Sequence, residues 1–257
     1  MKNERKDILY MHVQASERFV ISYGMSFQEF VYSLQHPLAN LLLLKHQYED
    51  GEFNRNTLLD YVPSDSVMKL LKEDVSEYGD FCWIDFEEEA ALDDIEDKEL
   101  AELLFLGHTK SHLRPPFFRK LNNHFAYLSH DDGWFNKTYY RSLDTYFKIL
   151  GNLLSIKLES LRVERTWLGI RKKSEYPQVP LEVFESLEPL MGEGIAISLI
   201  GVQQSRNRIE IPIWTVGDYL NMDDMIEAYT EAKNESPHAL VVYNRKTKEW
   251  SVVLKKQ

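Results

Sequence analysis

Four side chains in the middle of the chain are of the types that bind a divalent metal ion. They are His108, His112, His130 and Asp131. His108 and His112 are four residues apart, and on a helix this spacing places both imidazoles on one face. Imidazole nitrogens together with a carboxylate form typical ligand sets for zinc and similar ions. The set therefore indicates a divalent metal site, and with it a phosphohydrolase-like, metal-dependent hydrolase.

The same histidines also fit a structural role. Thr109 follows His108, where a zinc-protease helix would need a glutamate. On a helical wheel both imidazoles lie beside Ala101, Leu104 and Phe105, which is the apolar side predicted to face the core. Histidines in such a position usually hydrogen-bond to carbonyl groups. The aspartates of the DDG sequence fit a turn, because Asp side chains bond to nearby amides. Both interpretations stay open at the level of sequence.

A second group combines basic and aromatic side chains. Its cations are Arg114, Arg119, Lys137 and Arg141, and Trp, Phe and Tyr residues are interspersed among them. Guanidinium groups beside aromatic rings can form a pocket for an anion or a nucleobase. These four residues are the predicted anion-binding residues. The alternative is that the cations pair with acidic side chains of the same chain.

Acidic residues are concentrated in one segment. The chain has a net charge of −11, and residues 85–102 hold ten acids and one lysine, which is about −9 of that charge. Such a surface repels nucleic acids and anionic membranes but could attract a basic protein. The predicted partner-binding residues are Glu87, Glu88, Glu89, Asp93 and Asp94. The alternative is a solvated helix face that binds nothing.

One helix and one hairpin are predicted to position these residues. The helix includes the acidic segment, with a capping box of Asp85 and Glu88 near its start and Pro115 at its end. Acids in its first turns and bases in its last turns suit the helix dipole. The aromatic segments on either side of DDG predict an antiparallel hairpin. This hairpin would place His130 and Asp131 at its turn.

The remaining patterns predict an α+β fold. We expect mixed helices with antiparallel hairpins, followed by a C-terminal β-β-α-β-β unit. The predicted division is 1–172, which holds the acidic helix and the aromatic hairpin, and 173–257, which holds the C-terminal unit. A charged, proline-containing connector at 169–180 motivates this boundary. One fused domain is the alternative.

Three local patterns add detail to that fold. Ser26 and Glu29 have the spacing of a capping box, which predicts a helix start. Gly151 interrupts an otherwise strong helix pattern and is predicted to be its weak point. Pro212 lies in a strand of alternating isoleucines and predicts an edge position, because proline cannot donate to a neighbouring strand.

Composition limits the classes of protein to which the chain can belong. Cys82 is the only cysteine, so no internal disulfide can form, and its apolar surroundings predict a core residue. No apolar run is long enough to span a bilayer, and we expect no export signal at the N-terminus. We therefore expect a soluble, cytoplasmic, non-catalytic binding or regulatory protein without a cofactor. The metal-dependent hydrolase is the alternative.

Overall fold

The computed structural model of the chain describes residues 7–73, 75, 80–112, 114–130, 135–160, 163–165, 171–173 and 176–255. The strands are β1 Ile8–Gln14, β2 Phe19–Tyr23, β3 Asn40–Leu43, β4 Glu52–Asn54, β5 Leu59–Val62, β6 Cys82–Phe86, β7 Phe125–His130, β8 Phe135–Tyr140, β9 Val163–Arg165, β10 Arg171–Lys173, β11 Ile195–Ser198, β12 Gln203–Gln204, β13 Arg208–Thr215, β14 Ala239–Asn244 and β15 Glu249–Leu254. The helices are α1 Phe27–Tyr32, α2 Ser64–Leu70, α3 Asp97–Thr109, α4 Leu143–Ser160, α5 Leu181–Met191 and α6 Met222–Ala232, with a short 3₁₀ helix at Glu89–Leu92.

The predicted fold class, an α+β fold of mixed helices with antiparallel hairpins and a C-terminal β-β-α-β-β unit, is wrong. The described strands, apart from the β9–β10 pair, belong to one antiparallel sheet of 13 strands. The C-terminal strands do not complete their own sheet, because Leu9 of β1 pairs with Ile197 of β11. Periodicity along a sequence shows that a segment is a strand, but it does not show which distant strand becomes its partner.

The described chain divides into two compact units. The terminal unit comprises Met1–His12, Tyr32–Gln35 and Asp144–Gln257, and the central unit comprises Val13–Val31 and His36–Leu143. The predicted boundary between residues 172 and 173 stays a prediction, since 169, 170, 174 and 175 of its connector lie outside the described residues.

The central unit contains the strand order β2-β8-β7-β6-β3-β5-β4. The two arms of the predicted aromatic hairpin are confirmed as β7 and β8, although residues 131–134 of its turn lie outside the described residues. The core contains many aromatic side chains, and the ring of Trp83 stacks on that of Tyr127 with the ring centroids 5.3 Å apart. Cys82 is fully buried, which confirms its predicted core position.

The start of α1 confirms the predicted capping box. The main-chain N–H of Glu29 donates to the Ser26 hydroxyl at 3.2 Å, and the N–H of Ser26 donates to the Glu29 carboxylate at 3.0 Å. This exchange satisfies two amide groups that have no partner inside the helix. It orients α1 so that Phe27 and Phe30 enter the core.

The terminal unit contains the strand order β15-β14-β13-β11-β1, and β12 also pairs with β13. The predicted edge position of Pro212 is wrong, because its strand has neighbours on both sides. The carbonyl of Ile213 accepts from His238, so the nitrogen of Pro212 faces away from β14. On that side the ladder is interrupted between β11 and β12, which removes the need for an amide donor at Pro212.

Helix α4 runs through Gly151, where it packs closely on neighbouring main chain. A Cβ atom at this position would overlap the carbonyl oxygen of Val179. The glycine therefore allows the helix to pack directly on neighbouring main chain, and its predicted role as the weak point of the helix stays a prediction. Across the described ranges, no helix is long and apolar enough to cross a membrane.

Candidate functional site

Helix α3 carries His108 and connects the predicted acidic residues before it to His112 and Arg114 after it. Asp97 and Glu99 occupy its first turn, where negative charge is favourable. It ends at Thr109, because Lys110 adopts a left-handed conformation with φ of 52° and its N–H bonds to the carbonyl of Leu106. The prediction that this helix continues to Pro115 is therefore wrong. The side chain of Lys110 forms an ion pair with Asp80, which holds the helix end in place.

The buried side of α3 is not the predicted side. Leu103, Leu106 and Gly107 are buried. Gly107 packs against the main chain of Leu44, since a Cβ there would lie 2.7 Å from the Leu44 carbonyl oxygen. This close approach fixes the rotation of the helix.

The apolar side that the helical wheel assigned to the core faces solvent. Leu104 is 47% exposed and Phe105 is 51% exposed, and Ala101 and His108 are exposed beside them. We call Ala101, Leu104, Phe105 and His108 the α3 outer stripe. The sequence has apolar residues on both sides of α3, so the wheel alone could not select the buried one. The glycine on the other side was the available signal.

A pocket of about 460 Å³ opens beside the α3 outer stripe. It is lined by Lys98, Ala101, Glu102, Phe105, His112 and Arg114. Arg114 places one guanidinium nitrogen 2.8 Å from both carboxylate oxygens of Glu102. This hydrogen bonding holds the pKa of Glu102 below its ordinary value. The pocket is therefore lined by both apolar and charged side chains.

His112 forms one wall of this pocket through contacts outside the helix. Its Nδ1 lies 2.8 Å from the carbonyl oxygen of Arg114, and its main-chain N–H donates to the hydroxyl of Tyr139. Its Nε2 lies 3.9 Å from a carboxylate oxygen of Glu102. The contact with Arg114 orients the ring, whose edge approaches the ring of Phe105 with centroids 6.4 Å apart.

The structure describes only some of the four predicted metal ligands. His108 lies on the exposed side of α3 and His112 follows the helix, so the predicted helical pairing of the two is wrong. His130 ends β7, but its side chain and the whole of Asp131 lie outside the described residues. Within the described part of the chain, no three His, Cys, Asp or Glu side chains are grouped as metal ligands. The metal site with all four residues, and the hydrolase that depends on it, stay a prediction.

The four predicted anion-binding residues have different surroundings. Arg114 contacts Glu102, as described above. Lys137 places its Nζ 4.0 Å from the ring centroid of Phe19 and 3.3 Å from the hydroxyl of Ser111. Arg141 donates to the side-chain oxygen of Asn122 at 2.9 Å and lies over a phenylalanine ring. Arg119 is exposed. Anion binding by these residues stays a prediction.

Asp85 differs from the other acids of its segment. It lies in β6, buried, and its carboxylate accepts from the main-chain N–H groups of His124 and Phe125. Burial raises its pKa, and the amide hydrogen bonds offset this in part. The predicted capping box with Glu88 is wrong, because Asp85 lies within strand β6 and does not precede the first turn of a helix. Sequence counting could not separate this structural acid from the solvent-facing ones.

The five predicted partner-binding acids are all exposed. They are Glu87, Glu88, Glu89, Asp93 and Asp94, and Glu96 and Asp97 next to them are exposed as well. Asp93 accepts from the amide of Asn54 at 2.9 Å. Among the residues that the structure describes, Lys120 is the one base within ion-pair distance, with its Nζ 3.7 Å from Asp94. The charge of this acidic surface, Glu87–Asp97, is therefore largely uncompensated within that part of the chain.

The β4–β5 hairpin is a neighbouring feature that sequence reasoning did not detect. Asn56 donates to the carbonyl of Leu92 at 2.8 Å, which joins the hairpin turn to the 3₁₀ helix of the acidic surface. Phe53 on β4 is 58% exposed. The polar sequence from Asn54 to Thr57 is the signal that could have located this turn. The acidic surface is thus supported by hydrogen bonds to a hairpin that also presents an aromatic side chain.

Comparison with protein-family models, with curated proteins and with solved structures finds no match to this chain.

Proposed function

We propose that this chain is a non-catalytic binding protein whose acidic surface docks a basic protein partner. The observation that carries the proposal is the exposure of all seven acids between Glu87 and Asp97, with one base, Lys120, within ion-pair distance among the described residues. Exposed like charges held close together repel one another, and a cationic partner relieves that repulsion. Such surfaces mainly accelerate association and select partners by charge.

The surface has a fixed framework rather than being a solvated tail. Asp85 anchors its beginning to two main-chain amides, and the amides of Asn54 and Asn56 hold its middle. Helix α3 follows at Asp97. Charges on a fixed framework are positioned in advance, so the surface itself loses less entropy when a partner binds. This supports docking over the alternative of an unused solvated face.

The test measures how a lysine-rich peptide of lysine, glycine and serine binds to the full-length protein at increasing salt. The acidic-surface variant replaces Glu87, Glu88, Glu89, Asp93 and Asp94 with the matching amides. Each exposed charge contact contributes about 0.3 kcal/mol, so five together correspond to a loss of about tenfold in affinity at low salt. Fluorescence anisotropy measures this loss, which should shrink as salt shortens the Debye length from about 10 Å at 0.1 M to about 3 Å at 1 M.

A variant with the same change in net charge provides the control. It replaces Glu182, Glu185, Glu193, Glu227 and Glu231, which are exposed acids of the terminal unit, with glutamine. We expect this control to weaken binding by less than about twofold, because its charges lie outside the proposed surface. Equal losses in both variants would show that the peptide senses net charge alone, and that result would refute the proposal. Circular dichroism should show both variants folded.

A further inference from the structure

We infer that the α3 outer stripe is the apolar anchor of the docking site and that it receives a basic, amphipathic helix of the partner protein. The inference rests on the proposed function and adds the secondary structure of the partner and the place of its apolar contacts. Ala101, Leu104, Phe105 and His108 have the spacing i, i+3, i+4, i+7, so they form one continuous face. This is the face that an incoming helix would contact side by side.

The stripe lies outside the buried side of α3. Helix α3 meets the central unit through Leu103, Leu106 and Gly107 on its other side. Leu104 and Phe105 nevertheless expose about half of their surface. Single exposed apolar residues are common, but two neighbouring ones beside a pocket are typical of an interaction site.

The pocket gives the stripe a specific place for one side chain of the partner. Ala101 lines the pocket together with Lys98 and Phe105, and its short side chain occupies little of the space. The volume of about 460 Å³ lies within the range of sites that hold small ligands, and it can hold a leucine or aromatic side chain. Interfaces commonly gain most of their affinity from such an anchor in a central pocket.

The acidic residues near the α3 outer stripe favour a basic partner helix. The first turn of α3 and the residues before it present Asp93, Asp94, Glu96 and Asp97 to solvent. A helix that lies along the stripe would place its own side chains over these carboxylates, so lysine or arginine at its flank is favoured. A second copy of this chain would bring the same acids, and an anionic membrane would bring phosphates, so both are disfavoured.

The dimensions fit a short helical segment. Helix α3 has 13 residues, which corresponds to about 20 Å of length. A partner helix of three or four turns would contact the stripe with apolar residues at i, i+3, i+4 and i+7, which is the usual pattern of helix-in-groove recognition.

The experiment compares two peptides of identical composition on the full-length protein. One is a leucine–lysine peptide with a helical apolar face, and the other has the same residues in an order that destroys this face. The stripe variant carries Leu104→Ser and Phe105→Ser. We expect it to bind the amphipathic peptide at least about tenfold more weakly at low salt and at about 0.5 M salt. The shuffled peptide should bind both proteins equally.

Two further variants make the result specific. Ala101→Trp fills the pocket while keeping the site apolar, and it should also weaken binding of the amphipathic peptide. The matched control, Ile200→Ser with Leu220→Ser, removes two apolar side chains that are 73% and 77% exposed elsewhere. This control should change affinity by less than about twofold. Loss of binding in the control, or full binding by the Ala101→Trp variant, would overturn the inference.

The failure of this inference can be distinguished from the failure of the proposed function. One outcome supports acidic docking and contradicts the helical anchor. In that outcome both peptides bind the wild type with equal affinity, both bind the acidic-surface variant more weakly, and both bind the stripe variant as tightly as the wild type. If the acidic-surface variant binds both peptides as the wild type does, the proposed function fails. Sedimentation velocity adds one outcome: a wild-type dimer that the stripe variant dissociates would assign the stripe to a second copy and overturn the inference.

Discussion

Helices α3 and α4 use their apolar residues in opposite ways. Ten of the 18 residues of α4 are buried, including Leu150, Leu153 and Leu154. Only three of the 13 residues of α3 are buried, although leucine and phenylalanine are frequent in it. Burial in α4 accounts for most of its apolar side chains, with Ile156 exposed at 38%, whereas α3 has apolar surface in excess of what its packing uses. That excess directed us to α3 as the place where a partner binds.

The two helices resemble each other on their buried sides. Each has a glycine at the point where it meets the main chain of its own unit, Gly107 against Leu44 and Gly151 against Val179. Both helices are therefore fixed in rotation by a close backbone contact. The difference between them lies in what covers the remaining surface, and the predictions below separate the two sides.

The largest effect is expected when a methyl group is added at the close contacts. Gly151→Ala should lower the free energy of unfolding by more than about 3 kcal/mol, since the new atom would overlap a main-chain oxygen that cannot move freely. Gly107→Ala, where the nearest oxygen would lie 2.7 Å away, should cost about 1 to 2 kcal/mol. Urea denaturation measures both values.

Gly192 provides the control for these substitutions. It is exposed, its φ of −66° is helical, and a Cβ there would meet no atom closer than 3.4 Å. Gly192→Ala should therefore change stability by less than about 0.5 kcal/mol. Equal costs at Gly192 and Gly151 would mean that backbone freedom rather than close packing sets the effect.

The next effect compares the same substitution on the two helices. Leu153→Ala should cost about 3 kcal/mol, because a fully buried side chain leaves a cavity in α4. Leu104→Ala should cost under about 0.5 kcal/mol, because its side chain is 47% exposed. Thermal and urea unfolding of the two variants measure the difference. A large loss at Leu104 would show that the outer stripe is structural, and it would remove the argument for a partner.

The smallest effect concerns two acids at opposite ends of the acidic segment. Burial raises the pKa of Asp85, so its unfolded form ionises first and its contribution to stability falls as pH rises above the ordinary value of 3.8. Arg114 lowers the pKa of Glu102, so its contribution is complete above 4.5 and is lost as pH falls through the lower native pKa. Subtracting the stability curves of Asp85→Asn and Glu102→Gln from the wild-type curve should give slopes of opposite sign.

Subtracting the stability curve of each variant from the wild-type curve isolates the pH dependence that one carboxyl group contributes. The comparison therefore does not require the variants to be as stable as the wild type. The Glu102 slope should be shallow, because its ion pair with the exposed Arg114 is screened by solvent. An Asp85 slope with the same sign as that of Glu102 would mean that the amides of His124 and Phe125 outweigh burial. The buried and exposed ends of the segment would then respond to pH alike.

Local chemistry was predictable from the sequence where neighbouring residues determine the structure. The Ser26–Glu29 capping box, the arms of the aromatic hairpin and the burial of Cys82 follow from short patterns. The rotation of α3 did not follow from its apolar pattern, since Leu103 and Leu104 are equally apolar and the close approach of Gly107 to the distant carbonyl of Leu44 selects between them.

Long-range pairing explains the other errors. Pro212 is tolerated between two strands because β11 and β12 leave a gap beside it, and no pattern around Pro212 encodes that gap. Asp85 resembles the other acids of its segment in sequence. In the structure it is buried, and its carboxylate accepts hydrogen bonds from main-chain amides that are distant in the chain. The exposed acids of the candidate site were identifiable from composition, whereas the apolar stripe beside them required the structure.

Cys82 gives the central unit a built-in reporter of strand separation. It is the only thiol of the chain, it is fully buried, and burial raises its pKa to about 11. A thiol reagent at neutral pH therefore meets neither an accessible sulfur atom nor a thiolate. Alkylation has to proceed through molecules in which β6 has parted from its neighbours, and its rate measures how often they do so. The alkylation rate of Cys82 thus reports local opening of the central unit without an engineered cysteine.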